Sequence, residues 1–123
     1  MTATATIETP SVPADREVHR SACAYLKGYI VGYSRRHGMK WDGDESRTEP
    51  FARGFEDSRH VASATVTFAH VIYNKLRHGR PHLSGGRGDD EFAEWFRRNY
   101  AWRAAPLLAV LAEYGIEVEE VLG

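Results

Sequence analysis

The sequence predicts a mainly α protein, a compact bundle of four to five helices, and three observations carry that prediction. Apolar residues recur at helical spacing over several long segments. Helix-starting and helix-stopping chemistry punctuates those segments: Ser11 before Pro13, Thr48 before Pro50, then Gly38 and Gly115 as stops. Tyr25-Leu-Lys-Gly28-Tyr29, Tyr29-Ile-Val-Gly32-Tyr33 and Phe51-Ala-Arg-Gly54-Phe55 share the pattern aromatic-x-x-Gly-aromatic. On a helix that spacing puts the rings on one face and leaves room beside them for another backbone, so close packing between the first two helices is expected.

Taken in order, residues 1–12 are Thr- and Ala-rich and read as a flexible leader, with residues 13–123 as one helical domain. From Ala14 to about His37, Val18, Ala22, Tyr25, Leu26, Tyr29, Ile30 and Tyr33 draw one apolar stripe. Arg35, Arg36 and His37 suit the negative end of the helix dipole, and Gly38 is the expected residue just past the end. A polar stretch with an Asp42-Gly43 turn leads to a second helix start at Thr48. Between Phe51 and Arg77, Val61, Thr65, Phe68, Ile72 and Leu76 keep helical spacing, with a break expected near Asp57-Ser58. Thr65-Val-Thr-Phe is β-branched, so a short strand over 64–70 is the alternative there. Gly79, Pro81 and Ser84-Gly85-Gly86-Arg87-Gly88 form a long loop. Asp89 or Asp90 then caps a helix carrying Phe92, Trp95, Phe96 and Tyr100, and Pro106 starts or kinks a further one. The tail from Ile116 to Leu122 is a short helix or a docked strand, packed on its own core or on a partner.

Composition excludes several classes. Sixteen basic and seventeen acidic side chains leave no global field to steer the chain onto nucleic acid or an anionic membrane. The one cysteine, Cys23, rules out an internal disulfide and a Cys-rich zinc module. With no secretory signal and no long apolar run, a cytoplasmic location without membrane contact is expected. The charge is nonetheless uneven. Residues 51–88 hold six basic groups against two acids, and residues 89–123 hold three against eight, an asymmetry that would orient a partner or let two copies meet head to tail as a homodimer.

The strongest candidate site is the acid-free stretch from Tyr73 through Lys75, Arg77, His78, Arg80 and His82 to Arg87, widened by Arg97, Arg98 and Arg103 on the next helix. Arg forks grip phosphate or carboxylate, and Tyr73 would offer a stacking face. The competing reading is a solvated helix end, where cations suit the dipole. Tyrosines of the repeated pattern either pack the core or line a groove for a flat ligand or a peptide. The Asp42/Asp44/Glu45 loop lacks calcium-loop spacing, and the histidines form no His-Glu-x-x-His pair. Asp57, Ser58 and His60 match a triad by type, but sequence neighbours point apart. Cys23 reads as a buried, inert thiol. No catalytic, cofactor or metal site is expected.

The Thr/Ala-rich leader, the aromatic-x-x-Gly-aromatic helices and Tyr73-Asn74-Lys75-Leu76-Arg77 together resemble, in manner and over about half the chain, small accessory proteins of tailed bacteriophages with GC-rich genomes. That resemblance implies a non-enzymatic protein that binds and modulates a host or phage macromolecule, inhibitors of defence included. The leading expectation is accordingly an interaction protein that acts by occlusion or recruitment. Direct nucleic-acid or nucleotide binding through 73–87 comes second, and a small metal-dependent hydrolase using His60, His70 or the acidic loop third.

Overall fold

A computed structural model describes residues 11–39, 48–78 and 87–122, and these fold into helices without a strand among them. Helix α1 spans Ser11–Arg36, α2 Glu49–Asp57, α3 Ser63–His78, α4 Arg87–Glu113 and α5 Val118–Leu122. Residues 1–10 of the expected leader lie outside the described residues, and Ser11 already belongs to α1.

Of the stripe its spacing foretold, helix α1 buries Ala22, Tyr25, Leu26, Tyr29 and Ile30, with Tyr33 half-buried; the Val18 side chain lies outside the described residues. It stops at Gly38, whose φ of 73° is left-handed. There the Met39 N–H donates to the Ser34 carbonyl at 2.7 Å and the Gly38 N–H to that of Arg35 at 3.2 Å. This is the paired closure that a C′ glycine allows. Gly115, at φ 88°, ends α4 in the same way, with Ile116 N–H on the Leu111 carbonyl at 2.9 Å.

The repeated glycines explain how α2 joins α1. A Cβ on Gly28 would run into the Phe51 carbonyl, and one on Gly54 would strike the Tyr25 carbonyl and come within 2.8 Å of the Tyr29 nitrogen. At Gly32 it would sit 2.7 Å from the Phe55 carbonyl oxygen. The two backbones therefore cross at near-contact distance, a packing open only where both helices lack side chains. Phe51 opposes Gly28, Phe55 opposes Gly32, and Ser58 accepts a hydrogen bond from Arg36 at 2.9 Å, so α2 runs beside α1 in the same direction. Pro50 sits in the first turn of α2, where its missing N–H has no intrahelical role. Thr48 precedes it with extended backbone.

Ser58 to His60 form a turn, and α3 follows as a helix through the segment whose β-branched residues had allowed a strand. The ambiguity has a physical origin. Helix α3 packs against α1, α4 and α5, so Thr65, Val66, Phe68, Ala69, Val71, Ile72 and Tyr73 are all buried. A helix enclosed on several sides is apolar nearly all round, which locally imitates the apolar run of a strand.

Helix α4 breaks at Tyr100 (φ −136°, ψ 33°). The sequence placed a start or kink at Pro106; the observed break falls earlier, with Pro106 inside the second half. Phe96 in the first half stacks on Phe68 of α3 at 4.8 Å between ring centres. Leu107 and Leu111 bury the second half. The tail resolves as α5, helical rather than extended, with Ile116 and Val118 buried on the chain's own core. Arg97 pairs with its Glu119 at 2.7 Å.

Candidate functional site

The break in α4 leaves a groove between its second half and the corner joining α2 to α3. Its inner pocket, about 240 Å³, is walled by Tyr25 and Tyr29 of α1, Val61 at the corner, and Pro106, Leu107 and Val110 of α4, with Asp57 and Arg103 as its charged groups. An outer basin of about 420 Å³ shares Val61, Arg103 and Pro106 and adds His60, Ala62, Thr65 and Trp102.

Each feature follows from local structure. The α1–α2 crossing brings the Tyr25 hydroxyl to Asp57, to which it donates at 2.7 Å. Burial first, then that hydrogen bond and the carboxylate's charge, push the Tyr25 phenol far above its ordinary range. Burial and then the same charge push Tyr29 upward too. Both phenols thus stay protonated, under the negative field of Asp57. His60, at φ 70°, occupies left-handed backbone, which is uncommon outside glycine and concentrates at turns and functional sites. Trp102 is 67 % exposed at the rim, far more than a large aromatic normally is. The Arg103 guanidinium lies 4.7 Å from the Trp102 ring centre and 5.4 Å from that of Tyr100. Pro106 has no N–H for the carbonyl of Trp102, four residues back, so a backbone acceptor at the rim loses its usual helical donor.

The residues chosen from sequence fall elsewhere, and unevenly. Tyr73 is only 6 % exposed, so its ring is not offered as a stacking face. It instead carries Arg77, which donates to the Tyr73 hydroxyl at 2.8 Å and lies over the ring at 5.6 Å. Lys75 is half-buried on the same helix. Arg97 is committed to Glu119, and Arg98 to Glu94 at 3.0 Å one turn away. Arg80 and His82 lie outside the described residues, as do the side chains of His78 and Arg87.

Other expectations meet definite geometry. Ser58 is buried, donates to the Phe55 carbonyl at 2.9 Å and accepts from Arg36, while Asp57 faces Tyr25; no Ser-His-Asp relay forms at this corner. Cys23 is half-buried against the core, and its thiol is pushed up to about 11 by burial, with Arg77 opposing. Among the described residues no three His, Cys, Asp or Glu side chains gather as metal ligands. The Asp42/Asp44/Glu45 loop lies outside them. No helix of the described residues is long and apolar enough to cross a membrane.

Periodicity pointed to Tyr25 and Tyr29 and allowed them a groove, but it did not single out Trp102. That ring follows the break of α4 at Tyr100, and the break itself carries no sequence signal beyond the nearby proline. Comparison with protein-family models, curated proteins and solved structures found no match for this chain.

Proposed function

We propose that this protein is a non-enzymatic binding module that engages another protein through the α4 groove and acts by occlusion or recruitment. The observation that supports this reading is the exposed Trp102 ring at the rim of an aromatic-floored pocket. Tryptophan, tyrosine and arginine dominate the binding energy of protein interfaces, most of all beside concave, desolvated pockets. Trp102, Arg103 and the two tyrosines put all three types in one place.

Affinity capture from native lysate, with nuclease-treated and untreated arms, tests it. A protein retained by the wild type after nuclease treatment should bind Trp102→Ala at least about 30-fold more weakly, as truncation of a central anchor worth some 2 kcal/mol implies. Equal retention by the variant would refute the reading.

A second reading rests on Arg77. Its guanidinium is exposed, and among the described residues it pairs with the Tyr73 hydroxyl rather than with a carboxylate. An anionic partner such as nucleic acid would meet an unneutralised cation there. Affinity for DNA or RNA should then fall steeply between about 50 and 200 mM salt, and further with Arg77→Glu. A salt-independent response, or none at low salt, removes this reading.

A further inference from the structure

We infer that the inner pocket of the groove is a socket for one arginine or lysine side chain of the partner. The inference rests on the protein-binding reading above and names the group the groove selects.

The pocket joins an apolar lining to one carboxylate, a combination that fits a long cationic side chain. Tyr25 and Tyr29 floor it but, at 1 % and 3 % exposure, give it shape rather than a face for the cation. Val61, Leu107 and Val110 supply apolar walls along which the methylene stem of arginine or lysine can lie. The Asp57 carboxylate accepts one hydrogen bond from Tyr25, and no ion pair to it forms among the described residues. A carboxylate has about four acceptor sites, so one neutral donor leaves most of them open for a guanidinium or ammonium. At about 240 Å³ the space exceeds the roughly 150 Å³ cavity that accommodates a benzene ring.

Among the described residues Arg103 is the cation of the lining, and its position decides whether an anion should enter instead. It is exposed and lines the inner pocket as well as the outer basin, but its guanidinium lies against the Trp102 and Tyr100 rings. The outer basin, which it shares with His60, is therefore where an acidic neighbour of the inserted cation would sit. The inner chamber keeps Asp57.

The test uses side-chain analogues on the full chain, followed through the methyl resonances of Val61, Leu107 and Val110. The probes are N-acetyl-arginine methylamide, its neutral isostere N-acetyl-citrulline methylamide, and N-acetyl-phenylalanine methylamide. Saturable shifts with the arginine probe, at least fivefold tighter than with citrulline, are expected. Asp57→Asn, which keeps an acceptor for Tyr25, should erase that difference, and Val61→Phe, which fills the chamber, should abolish the shifts. Equal affinity for arginine and citrulline overturns the proposal even if no variant folds. Tighter binding of the phenylalanine probe, indifferent to Asp57→Asn, overturns it in favour of an apolar anchor. Shifts of the same methyls with protein concentration alone overturn it in favour of a second copy of this chain. These measurements need no partner, so a failed socket leaves Trp102-dependent capture standing, and lost capture leaves the probe result readable.

Discussion

Replacing Gly28 by alanine should destabilise the protein, although alanine is the better helix former at that position. In an isolated helix the change would gain about 1 kcal/mol. Here the added methyl meets the carbonyl oxygen, carbonyl carbon and Cα of Phe51, all backbone atoms of α2. No rotamer change can relieve such a contact, so the helices must separate. Forcing extra volume into a close-packed site costs typically 1–3 kcal/mol, and a backbone obstacle puts Gly28 at or beyond the upper end. Separation also loosens the contacts of Phe51 and Tyr29, both buried at the crossing. Net of the helical gain, a loss of at least about 2 kcal/mol is expected. For a chain of this length that lowers Tm by roughly 8 °C or more.

Thermal unfolding followed by circular dichroism reads this directly, with Gly54→Ala and the double variant alongside. Gly54 faces the Tyr25 carbonyl across the same crossing, so once one methyl has opened the helices the second should cost less than it does alone. A Tm for Gly28→Ala equal to or above that of the wild type would refute the close crossing. Strict additivity of the pair would refute the idea that the two glycines serve one contact.

Three further outcomes follow from the charges and the thiol. Cys23, pushed up to about 11 from 9.0 chiefly by burial, should carry on the order of 100-fold less thiolate than an unfolded cysteine at pH 8; an alkylation rate in native buffer equal to that in urea would contradict this. Because Cys23, Tyr25 and Tyr29 all hold their protons more tightly when folded, their contribution is complete below about pH 9 and is lost as pH rises through 9 to 11 and beyond; urea midpoints should fall over that range, less so in Tyr25→Phe, and a flat profile would count against the buried phenols. Glu119→Gln, which removes the exposed partner of Arg97, should cost no more than about 1 kcal/mol and less in 1 M salt, because water and ions screen such a pair; a loss above about 2 kcal/mol would mean that the pair alone anchors α5.

Much of the helical framework was legible because its determinants are local. Gly38 and Gly115 mark helix ends by a backbone conformation that other residues adopt reluctantly, and both stand where the chain turns. The aromatic-x-x-Gly-aromatic pattern announced a close approach of the first two helices, because its glycines lie in both. Segment 64–70 was harder to read, since burial on several sides erases the polar face that distinguishes a helix from a strand. The basic stretch was legible as charge but not as geometry: sequence could not show that Tyr73 turns inward or that Arg97 reaches Glu119 across to α5.

The groove was illegible for a different reason, and that reason bears on what it is for. Its lining comes from three separate stretches, around Tyr25, around Val61 and around Pro106, and no periodicity within one stretch encodes their meeting. Two structural departures from regularity bring them together: the left-handed His60 at the α2–α3 corner and the break at Tyr100. In a straight helix Trp95 and Trp102, seven residues apart, would share one face. The break separates their surroundings: Trp95, 46 % exposed, rests on Phe92 and Tyr100, while Trp102 stands beside the groove with Arg103. Irregular backbone costs free energy, and packing elsewhere must offset it. In this chain the glycine crossing fixes Tyr25 against Asp57, while α3 holds Phe96 ahead of the break. Those contacts hold the two irregular points in place, and under the binding reading proposed above they would present the groove already formed rather than ordered on contact.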